Sequence, residues 1–137
     1  MGYTTFDKKN YDAFRENDRE GPIHMLNLIK LREKAEYADG REASGAEAYA
    51  AYGRDSAPVF HALGGRIVWR GKMEQILIGP EKHWDLCFIA EYPSVEAFSQ
   101  MHKVPEYRKA VEHRQAAVED SRLIRMMPQS VGENFGS

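Results

Sequence analysis

Ile23-His24-Met25-Leu26-Asn27-Leu28-Ile29 carries apolar side chains at both alternating positions, and the reading of the fold starts there. A strand with one wet face alternates polar and apolar residues. Leu86-Cys87-Phe88-Ile89-Ala90 and Leu123-Ile124-Arg125-Met126-Met127 have the same two-sided character. All three segments therefore read as central strands covered on both faces.

The flanking sequence supplies the other elements. Residues 7–17 can form a short amphipathic helix with Tyr11 and Phe14 on one side, stopped by Gly21-Pro22. The first strand runs from Ile23 to Leu31, and the charged residues 32–43 form a solvated loop. Ser44-Gly45-Ala46-Glu47 has the spacing of a capping box. It predicts a helix reaching Leu63, bent at Pro58 and ended by Gly64-Gly65. Arg66–Gly71 and Met73–Gly79 read as a hairpin, and Trp84–Tyr92 is the strongest strand signal. A short helix follows Pro93-Ser94 as far as His102. Another starts at Pro105, reaching about Glu119, and Ser121–Met127 is the last strand.

The order is β-α-β, a hairpin extension, then β-α-β. This is an α+β, ferredoxin-like split βαβ sandwich with an antiparallel sheet. The predicted organisation is an N-terminal helical extension over 1–20, the domain over 21–128 and a flexible tail over 129–137. Right-handed crossovers put both main helices on one side of the sheet. A second copy is the expected cover for the other side, giving a homodimer through the sheet face, a dimeric α/β barrel. The alternative cover is the N-terminal helix, which is too short to span four strands.

Composition narrows the function classes. A chain of 137 residues suits one domain and needs no disulfide or metal staple. A net charge of -2, with no basic patch interleaved with aromatics, argues against nucleic acid. No apolar run is long enough to span a bilayer and no signal peptide opens the chain, so the expected location is cytoplasmic, without a membrane partner. The single cysteine, Cys87, reads as a buried inert thiol.

Pro22-Ile23-His24-Met25-Leu26-Asn27-Leu28, Gly64-Gly65-Arg66, Glu91-Tyr92-Pro93-Ser94-Val95-Glu96-Ala97-Phe98, Pro105-Glu106-Tyr107 and His113-Arg114 resemble, in order over about residues 21–127, the family catalogued as domain of unknown function 1330. That family belongs to the dimeric α/β-barrel superfamily. The resemblance implies a ferredoxin-like fold whose sheets face each other in a dimer. The wider superfamily includes cofactor-free monooxygenases, muconolactone isomerase and haem-binding peroxidase-like members, and such kinship does not transfer a reaction. Val104 departs from the Ser or Asp usual before Pro-Glu-Tyr and removes a helix N-cap. Met101-His102 stands where the family commonly has aromatic residues.

The residues that can carry chemistry lie on the inward stripes. Tyr107, Ala110, Val111, Arg114 and Val118 fall on one helical stripe, so Arg114 points inward. Its guanidinium cannot be neutralised there. It must find a carboxylate such as Glu74 or Glu91, backbone carbonyls or an anionic ligand, or reach solvent along a buried stem. Asn27 interrupts an apolar strand and must satisfy its amide on backbone, a neighbour or a ligand. Tyr49, Tyr52, Ser56, Phe60 and Leu63 share a stripe in which Tyr52 and Ser56 put hydroxyls on an apolar face, either as core or as pocket wall. His102 and His113 can act as acid or base near neutral pH, or simply cap helix ends. The histidines show no metal-ligand spacing and the chain has no phosphate loop, so neither a metal nor a cofactor is expected.

The resulting expectation is a small-molecule-binding protein or cofactor-free enzyme, monooxygenase- or isomerase-like by superfamily analogy. Asn27, Tyr52, Ser56, Trp69, His102 and Arg114 would line one pocket per subunit, His102 and Arg114 being the catalytic candidates, for a small organic and anionic ligand. The alternative is a non-catalytic dimeric interaction module. A drug-sized site needs on the order of 300 Å³. If Phe60, Trp69 and Phe88 fill that space, the module reading prevails.

Overall fold

A computed structural model describes residues 2–136. The elements in chain order are α1 (Lys8–Glu16), β1 (Ile23–Leu31), α2 (Gly45–Ala62), β2 (Arg66–Gly71), β3 (Leu86–Tyr92), α3 (Val95–Met101), α4 (Pro105–Ala117) and β4 (Val118–Met126). The strands form one antiparallel sheet in the order β2-β3-β1-β4, the split βαβ topology that the sequence pattern predicts.

The capping box is present: the Ser44 hydroxyl accepts from the Glu47 amide, and the Glu47 carboxylate accepts from the Ser44 amide. Gly45 is required there, because a side chain would collide with the Arg32 carbonyl. Gly64, at φ +83°, ends the helix in the left-handed region that a side chain resists. α4 begins at Pro105 with no side-chain cap on Val104, as the departure at that position predicts.

The Met73–Gly79 strand does not form. Residues 72–85 connect β2 to β3 without regular structure, leaving Leu77 86% and Ile78 93% exposed. A strand needs a ladder partner. β2 is the sheet edge and keeps one side free, but residues 73–79 do not run back along it. The connection instead crosses toward β4, where Lys82 pairs with Asp120 at 2.7 Å and the Arg122 guanidinium lies 5.3 Å from the Trp84 ring. At the other end of the chain, β4 starts at Val118, three residues before the predicted strand. It opens with a bulge opposite Lys30 and Leu31.

Strand register assigns the two sheet faces. Ile23, Met25, Asn27 and Ile29 of β1 align with Tyr92, Ala90, Phe88 and Leu86 of β3, and these residues face the helices. His24, Leu26 and Leu28 align with Glu91, Ile89 and Cys87 and face away, as do Ile124 and Met126 of β4. Cys87 is thus half-buried on the outer face rather than deep in the core, and partial burial pushes its thiol pKa up. α1 packs on the helix side, where Phe14 meets Phe98 of α3 at 4.9 Å between ring centroids and the Phe14 carbonyl accepts from Arg125. The outer face is therefore left uncovered by α1. No helix among the described residues is long and apolar enough to cross a membrane.

Candidate functional site

The layer between α2, α4 and the sheet holds an aromatic cluster with polar groups set into it. Tyr52 of α2 and Tyr107 of α4 are hydrogen-bonded through their hydroxyls at 2.8 Å. Tyr49 stacks at a tilt against Tyr52, with ring centroids 5.4 Å apart. Burial pushes the phenol pKa of Tyr49, Tyr52 and Tyr107 upward, so all three stay neutral donors through the physiological range.

His102, the C-cap of α3, sits among Phe6, Phe98 and Tyr107, each ring within about 5 Å of the imidazole. Its Nδ1 lies 2.8 Å from the Phe98 carbonyl, an acceptor only, so Nδ1 carries the hydrogen. Burial lowers the His102 pKa, and the positive charge of Arg114 lowers it further against that hydrogen bond. Nε2 is then an unprotonated acceptor in a largely apolar setting, which is the state a general base requires.

Arg114 makes no ion pair among the described residues. Its Nη1 donates to the Thr4 carbonyl at 2.8 Å and its Nη2 to the Ser121 hydroxyl at 3.5 Å. Neither proposed carboxylate partner reaches it, since Glu91 is on the other face, bonded to Arg66 and His24 at 2.8 Å each. A carbonyl satisfies an N–H but leaves the charge uncompensated.

The other predicted residues divide. Asn27 faces the helix side, and its amide donates to the Met25 carbonyl at 3.0 Å, the first of the three pairings open to it. Ser56 is buried in α2, with its hydroxyl directed to the Gly53 carbonyl of its own helix at 3.5 Å. Trp69 is not with them: it aligns with Ile89 on the outer face, 49% exposed, over Gly71. The structure thus gathers Tyr52, His102 and Arg114, sets Asn27 and Ser56 on their own backbone, and separates Trp69. A bulge between Ile67 and Trp69 decides that separation, and strand alternation alone does not reveal it.

Three constellations were not legible beforehand. Tyr107 joins the cluster by its hydroxyl, and its place on the Arg114 stripe was the available signal. On the outer face, Glu91 links His24 to Arg66. Near the surface, the Tyr37 hydroxyl meets His113 Nδ1 at 2.6 Å while His113 Nε2 lies 3.2 Å from Asp55, across two elements and a loop. Among the described residues no group of three or more His, Cys, Asp or Glu is placed to hold a metal ion.

Two grooves lie apart from this layer. A groove of about 440 Å³ runs between the α1–β1 connection and α3, and another of about 540 Å³ lies against α1. Neither is lined by Asn27, Tyr52, Ser56, Trp69, His102 or Arg114.

This topology, with an outer sheet face that no helix covers and a polar-aromatic layer under α2 and α4, defines an α+β domain of the ferredoxin-like class. Residues 32–127 match the family described as "Domain of unknown function (DUF1330)", and the chain belongs to that family. The crystal structure of the methylated RPA0582 protein is 62% identical over 96% of this chain and 98% of its own, with a TM-score of 0.94. A second structure of RPA0582, a protein of unknown function from Rhodopseudomonas palustris, is 61% identical over 96% of this chain and all of its own, with a TM-score of 0.92. SnoaB, a cofactor-independent oxygenase from Streptomyces nogalater, shares the fold at 14% identity and a TM-score of 0.54, over 81% of this chain and 96% of its own. No curated protein matches the chain.

Proposed function

We propose that this protein is a homodimer that binds a small anionic organic molecule in the layer between α2, α4 and the sheet. In this reading Arg114 takes the anion, Tyr52 and Tyr107 donate to a carbonyl or phenolic oxygen, and His102 Nε2 accepts a proton. The carrying observation is the guanidinium of Arg114, turned inward yet bonded only to a carbonyl and a hydroxyl. A neutral base beside neutral donors and one fixed cation suits deprotonation of an acidic aromatic or enolic compound. The likeness to a cofactor-independent oxygenase is one of fold alone and names no substrate. Pairing is supported by the outer face, where Leu26, Leu28, Ile89, Ile124 and Trp69 form an apolar surface that no helix covers, the β2–β3 connection reaching it near Asp120 and Arg122.

A second reading, the non-catalytic dimeric module, is favoured by the ring contacts that fill the layer. Phe60 meets Tyr92 at 5.3 Å, Tyr92 meets Phe98 at 5.0 Å, and His102 meets Tyr107 at 5.0 Å. Native mass spectrometry of freshly purified protein, joined to thermal melts with a panel of aromatic carboxylates, separates the two. A retained small molecule, or a carboxylate-induced rise in melting temperature that Arg114→Leu abolishes, supports the binding site. A ligand-free dimer whose melts ignore every carboxylate supports the module.

A further inference from the structure

A second cationic site lies at the corner where the chain leaves α1 and enters β1, apart from the cluster around Arg114. Arg19 stands four residues before β1. Arg125 stands on β4, aligned with Met25 of β1, and faces the helix side. Each guanidinium is bonded only to a backbone carbonyl: Arg19 Nη1 donates to the Glu20 carbonyl at 3.2 Å and Arg125 Nη1 to the Phe14 carbonyl at 3.1 Å. The Nη2 of each is buried and has no partner. No ion pair engages either residue among the described residues. The two charges also sense each other, since burial and the nearby Arg19 lower the Arg125 pKa.

Such an arrangement is costly in an empty protein. A buried donor without an acceptor loses its hydration for nothing, and a charged one loses more. Two like charges near each other add repulsion. Arg19 lines the 440 Å³ groove, so this corner is reached from solvent. The groove's own charges balance, with Arg15, Arg19 and Lys103 against Asp18, Glu20 and Glu96, and Arg125, which does not line the groove, adds one positive charge near Arg19. An oxyanion offers two acceptors to two orphaned donors and neutralises that excess, and planar guanidinium forks suit carboxylate and phosphate oxygens.

We infer that Arg19 and Arg125 form a binding site for a small oxyanion, a phosphate or a carboxylate, entered through the groove between the α1–β1 connection and α3. This site is separate from the one in the proposed function and does not depend on it. Phe14 contributes its carbonyl and an aromatic face, with its ring 5.0 Å from the Arg125 guanidinium, which holds that side chain in place.

The test is a thermal-shift titration of the intact protein with inorganic phosphate and, separately, with acetate, each against sodium chloride at matched ionic strength. The expected result is a saturable rise in melting temperature with at least one of the two anions, absent in Arg19→Gln and Arg125→Gln and retained in Arg114→Leu. Response to phosphate alone assigns a phosphate-bearing ligand, and response to acetate alone a carboxylate. Arg125→Lys keeps the charge and loses the fork, so it is expected to fold and to bind about tenfold more weakly, a difference of about 1.4 kcal/mol. Neither anion exceeding the chloride control, or a shift that persists in both glutamine variants, overturns the inference. Loss of the shift in Arg114→Leu alone would move it to the other site and overturn it as well.

Discussion

The hydroxyls of Tyr52 and Tyr107 lie 2.8 Å apart, joining α2 to α4 through a polar bond inside an aromatic cluster. Each ring is held by its neighbours, so the two oxygens meet without the freedom of a surface pair. Replacing one tyrosine by phenylalanine strands the other hydroxyl, which costs about 1–3 kcal/mol. The double phenylalanine variant should cost less than the sum of the two singles. Urea denaturation of all four proteins gives the coupling energy, and strict additivity would show that the bond contributes nothing.

His102 should make stability fall with acid. Its folded pKa is lowered from 6.5 chiefly by burial, so above that value both folded and unfolded forms are neutral. As pH drops below it, the unfolded chain takes up a proton that the native imidazole refuses, and stability is lost down to the folded pKa. One proton sets the limit at about 1.4 kcal/mol per pH unit. His102→Gln should flatten that limb in melts taken between mildly acidic and neutral pH. An unchanged slope would place the titration on another group.

Asp120 ties the N-terminal segment and the β2–β3 connection to the sheet. It accepts from Lys82 at 2.7 Å, from Arg122 at 2.8 Å and from the Tyr3 amide at 2.9 Å. Burial alone would raise its pKa, but these donors overcome that and hold it well below the usual carboxylate range. The stabilisation is therefore fully present above about pH 4 and lost as pH falls through the folded value. Asp120→Asn should cost about 1–2 kcal/mol at neutral pH, a figure discounted because Lys82 and Arg122 are partly exposed. Thermal melts should show this difference shrinking in acid. A variant as stable as wild type at pH 7 would exclude the role.

The outer sheet face offers a direct test of pairing. Ile124 is 45% exposed in the single chain, so Ile124→Asp should leave the fold of one subunit intact. Across a two-fold interface the same change buries an unpaired charge. Sedimentation should show wild type as a dimer at micromolar concentration and the variant as a folded monomer. A monomeric wild type, or an undisturbed dimer in the variant, would count against the sheet face as the interface.

How much was legible can be judged residue by residue. Ser44 and Glu47 announced α2, because a capping box is local chemistry within one turn. The two-sided apolar strands announced β1, β3 and β4 for a similar reason, since burial on each face is written in alternate residues. The inward direction of Arg114 followed from helical period. The identity of its partners did not: neither Glu74 nor Glu91 pairs with it, and the acceptors are the Thr4 carbonyl and the Ser121 hydroxyl, the first brought in by an N-terminal segment 110 residues away.

Met73–Gly79 has a strand's composition, but a strand exists only where its hydrogen bonds find a partner strand, and this connection leaves the free edge of β2 to cross toward β4. A bulge at Val68 put Trp69 on the outer face, one residue out of step with simple alternation. The sequence by itself determined the eight elements that form, their order and the two-sided demand of the sheet, because these rest on interactions within a few residues. Only the tertiary structure decided which donors share a site and which buried guanidinium groups stand without an anion, because those depend on strand register and on contacts between distant segments.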